Sequence, residues 1–107
     1  MVETTLKGKL KMASVAKTSQ SEARRGKEYW YAPLQILEKS SNEINSEEVM
    51  LIFWKENFPN EKTQQDIANL KENQVIEVRG NVGGRDNGLL DVIELVEIEN
   101  DDSDFII

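Results

Sequence analysis

The chain has no cysteine and no histidine. Without cysteine there is no disulfide framework and no thiolate metal site, which accords with a reducing compartment. Without histidine the commonest general base, the commonest metal ligand and every histidine-dependent triad are missing. No run approaches the ~18 apolar residues that a membrane span needs, and Met1-Val-Glu-Thr-Thr5 lacks the pattern of a signal peptide. A soluble, cytoplasmic protein is therefore expected. Phosphate-cradling signatures are missing too, because Gly80-Asn-Val-Gly-Gly84 opens no helix. Asp86, Asn87 and Asp91 surround a turn, where they are expected to serve turn geometry rather than a cation. With no serine placed beside a base either, the expectation is a non-enzyme with no cofactor and no metal.

What is present is one domain's worth of chain, 107 residues, with room for a single core. The net charge of −7 conceals an asymmetry. Between Lys7 and Lys27 lie seven bases (Lys7, Lys9, Lys11, Lys17, Arg24, Arg25, Lys27) against one acid, Glu22. From Glu97 onward there are five acids and no base. That split suggests a basic binding surface followed by an acidic tail.

Periodicity supplies the elements. Thr5 to Val15 alternates, with Leu6, Gly8, Leu10 and Met12 on one face and Lys7, Lys9 and Lys11 on the other, so a long first strand is expected. Gly8 permits a sharp bend there. The lysines form either a solvated face or a row of ammonium groups ~6.5–7 Å apart, close to the repeat of an extended phosphate backbone. Lys17 to Lys27 reads as a long basic loop.

Tyr29 to Leu37 is a second strand, with Trp30, Ala32, Leu34 and Ile36 inward and Tyr29, Tyr31, Pro33 and Gln35 outward. Outward tyrosines beside a basic loop suit base stacking; cross-strand packing or a dimer contact would also use them. Pro33 cannot donate to a ladder, so an edge or a bulge is expected at that point. A polar connection, Glu38 to Glu48, leads to Val49-Met-Leu-Ile-Phe-Trp54, a strand apolar on both faces. One of Phe53 and Trp54 must enter the core and the other is free for contact; periodicity does not say which.

Glu61 onward predicts a short helix, with Thr63 as cap, Asp66 reaching back, Ile67 and Leu70 on the apolar face and Asn73 as the stop. Gln74–Val82 and Leu89–Ile98 follow as strands around the Gly83–Gly88 turn, whose glycines and asparagine take positive φ cheaply.

Three strands, a helix and two strands resemble the OB-fold, a five-stranded Greek-key barrel. The run from Leu70 through Val82 to Leu95 is similar to the corresponding part of many nucleic-acid-binding OB domains. The tail, Glu99-Asn-Asp-Asp-Ser-Asp-Phe-Ile-Ile107, resembles the acidic C-terminal tips of bacterial and phage single-stranded DNA-binding proteins, although it lacks a proline and does not end on phenylalanine.

The resemblance implies an all-β OB barrel over residues 1–98 and an acidic tail over 99–107. It implies a sequence-tolerant binder of single-stranded DNA in replication, recombination or repair. Lys7, Lys9, Lys11, Lys17, Arg24, Arg25, Lys27, Arg79 and Arg85 would contact phosphates. Tyr29, Tyr31 and one of Phe53 or Trp54 would stack on bases. Asp101, Asp102, Asp104, Phe105, Ile106 and Ile107 would recruit replication or repair proteins and compete with DNA; a solubilising end is the plainer reading of that tail. A protein-interaction subunit with no nucleic-acid partner is the alternative from another class, and RNA preference and homo-oligomerisation stay open.

Overall fold

A computed structural model describes residues 2–99. The elements in chain order are β1 (Val2–Leu10), β2 (Val15–Thr18), β3 (Glu28–Lys39), β4 (Glu48–Trp54), α1 (Glu61–Ala68), β5 (Val75–Gly83) and β6 (Leu89–Ile98). The strands join in the order β1-β5-β6-β4-β3, and β1 also pairs with β3, so five strands close into an all-β barrel with one short helix. All pairs are antiparallel except β4–β6, which runs parallel from Met50↔Leu89 to Ile52↔Asp91. This order is compatible with an OB-fold.

The expected first strand is in fact two. β1 pairs with the far half of β3, from Leu6↔Lys39 to Leu10↔Leu34, whereas β2 pairs with its near end, from Val15↔Tyr31 to Thr18↔Glu28. Residues 11–14 leave the ladder between them, and Met12, an expected core residue, is 46% exposed. The break falls opposite Pro33, whose carbonyl accepts from the Lys11 amide but which has no N–H to return. On the other side of β3, Met50 turns its amide to Gly88 rather than to its register partner Pro33. Pro33 is therefore accommodated by a gap in the neighbouring strand, not by an edge. The detour also serves the helix: Ser14 donates its amide to the Leu70 carbonyl and its hydroxyl to that of Ile67 (2.6 Å). Ile67 lies in the last turn of α1, whose carbonyls lack partners within the helix, and Leu70 just beyond its end.

Two mid-strand glycines let the barrel close. A Cβ on Gly8 would stand 2.3 Å from the Gln35 carbonyl oxygen, and one on Gly80 2.3 Å from that of Asp91. Each sits at a register shift, Lys7/Gly8 against β3 and Arg79/Gly80 against β6, so both mark bulges where backbones crowd.

The core follows the inward alternation: Leu6 and Leu10, Ala32 and Leu34, Val49, Leu51 and Phe53, Ile76 and Val78, Leu90 and Val92, with Ile67 and Leu70 plugging from the helix side. Phe53 is thereby removed from the candidate contact residues. It has no exposure and packs against Phe58, ring centroids 6.1 Å apart. Ile44 is also fully buried; the polar connection carrying it tucks its one large apolar side chain under the barrel.

The cap of α1 is Asn60, whose side chain accepts from the amides of Lys62 and Thr63, at 2.8 and 3.2 Å. Thr63 is thus inside the helix rather than its cap, and Asp66 pairs with Lys62 one turn earlier at 2.8 Å. Asn69 is the C-cap; Asn73, the expected stop, takes a φ of 72° in the turn before β5. In the β5–β6 turn it is Gly84, Asp86 and Asn87 that adopt positive φ. No helix among the described residues is long and apolar enough to cross a membrane.

Candidate nucleic-acid interface

With Trp30, Ala32 and Leu34 of β3 and Val49, Leu51 and Phe53 of β4 turned inward, the intervening side chains share the outer face. Register sets them in rows: Lys17–Tyr29–Trp54, then Val15–Tyr31–Ile52–Asp91, then Pro33–Met50–Leu89. Adjacent strands lie ~4.8 Å apart, and Met50 to Trp54 spans about 13 Å. Tyr29, Tyr31, Met50, Ile52 and Trp54 are all half-buried. Together they make an apolar, aromatic platform along the barrel.

The Trp54 end of this platform is basic. Tyr29 packs on Trp54 with centroids 4.9 Å apart and planes at 51°. The Arg24 guanidinium lies over the Trp54 ring at 4.4 Å, and the Lys17 ammonium stands 5.7 Å from the centre of Tyr31. Arg24 comes from the β2–β3 connection, which is not a loose loop: Ser19 and Lys27 pair across its base, and the Lys27 amide bonds back to Arg24. Glu56, just beyond β4, accepts from Lys27 at 2.6 Å and from Arg24 at 3.5 Å. The Lys27 hydrogen bond is the largest of the effects that hold its carboxyl below the ordinary range. Gly26, Lys27, Glu28, Lys55 and Glu56 line an open groove of about 280 Å³ beside these groups.

The other expected phosphate contacts are dispersed. Lys7 lies between Glu38 (4.0 Å) and Glu99 (3.8 Å), and Lys11 pairs with Glu48 (3.1 Å). Both belong with the far half of β3, away from Tyr29 and Trp54. Arg79 sits on the β1–β5–β6 side, bonded to Glu3 at 2.7 Å and Glu94 at 2.9 Å, with the Glu3 bond the leading cause of its raised pKa. Arg85 occupies the turn that meets β4 at Met50 through the Gly88 carbonyl. Among the described residues Lys9, Lys17, Arg25 and Arg85 enter no ion pair. Of the residues expected at the interface, the fold therefore gathers Lys17, Arg24, Lys27, Tyr29, Tyr31 and Trp54.

Sequence reasoning missed Glu56 and Asp91. Asp91 belongs to β6, not to the preceding turn, and burial, the largest effect on it, raises its carboxyl. Its one legible sign was its place as a lone acid in Leu89-Leu-Asp-Val-Ile93. Asp101, Asp102, Asp104, Phe105, Ile106 and Ile107 lie outside the described residues. Glu99 is the last described residue and still belongs to the barrel: its amide donates to the Val75 carbonyl at 2.8 Å. No protein-family model matches the chain, and a search of curated proteins finds no relative.

Proposed function

We propose that this barrel binds single-stranded DNA with little sequence preference, stacking bases on Trp54, Tyr29 and Tyr31 and holding phosphates with Lys17, Arg24, Lys27 and Arg25. The observation that carries this reading is the aromatic platform itself, half-exposed and edged by bases at its Trp54 end. Stacking of this kind contributes roughly 1–3 kcal/mol per base and tolerates any sequence. The acidic tail would recruit partner proteins in replication, recombination or repair, and would compete with DNA for the basic rim.

Titration of tryptophan fluorescence with oligo-dT tests it. Quenching is expected, with affinity falling about 50-fold between 50 and 200 mM salt if about four phosphates are contacted. A chain ending at Glu99 should bind more tightly at low salt, and equal affinity would remove the competing-tail role.

In the free protein Glu56 occupies the groups meant for phosphate. Exposed ion pairs are worth at most about 1 kcal/mol and are screened by salt, so phosphate can displace them. Glu56→Gln should tighten oligo-dT binding several-fold at low salt, with a diminishing advantage as salt rises. Unchanged affinity would place Arg24 and Lys27 outside the DNA path.

The net charge of −7 and the pairing of Lys7, Lys11 and Arg79 with acids favour a second reading, a protein-docking barrel whose aromatic face meets a subunit. Absence of quenching at either salt concentration would select it.

A further inference from the structure

Asp91 is a carboxylate that stacking and phosphate binding leave unused. Leu90 and Val92 on either side are buried in the core, so Asp91 faces outward between them. It stands beside Ile52 of β4, which stands opposite Tyr31 of β3. The acid thus lies within the platform, in a row with the second tyrosine. Its Oδ1 is buried and has no hydrogen-bond partner, although Asn81 is opposite on β5. A buried carboxylate oxygen without a protein donor costs stability. Phosphate would be repelled by it; an N–H donor would be bound.

We propose that Asp91 reads one base of the bound strand and selects guanine. This rests on the DNA-binding reading above. A base stacked on Tyr31 with its sugar toward β2 would direct its Watson–Crick edge across Ile52 toward Asp91. Guanine alone presents two adjacent N–H donors on that edge, N1–H and the N2 amino group, matching the two oxygens of a carboxylate. Cytosine and adenine each offer one amino donor beside an acceptor, and thymine one N–H between two acceptors. The torsion that turns the carboxylate is soft, so rotation of the Asp91 side chain can present Oδ1 to an incoming base. Arg24 and Glu56 are the charged groups that act on it from neighbouring elements.

Competition binding separates this from general stacking. The probes are an oligo-dT, the same oligomer with one central dG, and one with deoxyinosine at that position. Inosine keeps N1–H and the purine stack but lacks the N2 amine. A strand free to slide can bring its single dG to Asp91. The full chain should bind the dG oligomer about fivefold or more tightly than oligo-dT, and inosine should lose most of that gain. The isosteric variant Asp91→Asn should bind all three within about twofold. Equal affinity of the full chain for dG and dT, with DNA still bound, overturns the guanine role and leaves the DNA-binding reading standing. So does a guanine preference undiminished in D91N. Failure to bind any of the three overturns both.

Discussion

Replacing Phe53 with alanine should destabilise the barrel by about 3–5 kcal/mol, read as a lowered midpoint in urea unfolding. Phe53 has no exposure and meets the Phe58 ring at a tilt of 51° in the core between β4 and the start of the helix. Truncation removes a whole ring and leaves a cavity that the closed strands cannot fill, because Trp30, its register partner on β3, is held by its own ladder. Against a typical total stability of about 5–15 kcal/mol, such a loss takes a large fraction of the folded population at modest denaturant. A Phe53→Ala protein as stable as the parent would mean that β4 presents its other face to the core.

The neighbouring substitution should do the opposite. Trp54→Ala is expected to cost oligo-dT affinity by about 1–3 kcal/mol, from fivefold to over a hundredfold, while stability changes far less than for Phe53→Ala. Trp54 is half-buried and outward, and its ring carries both Tyr29 and the Arg24 guanidinium. Removing it takes away a stacking surface and the seat of that guanidinium together, so the loss should exceed that of Tyr31→Ala. Adding Tyr29→Ala to Trp54→Ala should cost less than the sum of the two single losses, since the rings touch and share their bases. If Trp54→Ala binds oligo-dT like the parent, the platform is not the DNA surface.

That contrast between adjacent residues shows where reading the chain alone stopped. Val49 to Trp54 is apolar on both faces, so alternation offered two solutions of equal merit. The choice was made by β3 and β6, which flank β4 and fix the side that closes over Ile67 and Leu70. β3 had no such ambiguity: Trp30, Ala32, Leu34 and Ile36 could only point inward against Tyr29, Tyr31 and Gln35. The last strand was less legible: Leu89 to Ile98 is apolar at most positions, and the barrel selects Leu90 and Val92 for the core.

Alternation also set Lys7, Lys9 and Lys11 on an outer face, yet it said nothing of what lies across from them. Glu38, Glu48 and Glu99 reach Lys7 and Lys11 only through tertiary pairing. Glu38 is opposite Lys7 on β3, Glu48 begins β4 on the other side of β3, and Glu99 follows β6, which is joined to β1 through β5. Local chemistry likewise pointed to Thr63 as the cap, and the structure puts Asn60 there instead, three residues earlier.

The sequence by itself determined the short helix, the place of most strands, the inward set of the tyrosine strand, a break in regularity at Gly8 and the two tyrosines on the outer face. These depend on a two-residue repeat and on backbone limits that each segment carries alone. Only the tertiary structure decided that the lysine strand breaks opposite Pro33, that Phe53 is core and Trp54 surface, that Glu56 holds Arg24 and Lys27, and that Asp91 enters the platform. Each of these depends on which strand lies alongside which, and pairing between distant segments is a property of the closed barrel rather than of any stretch within it.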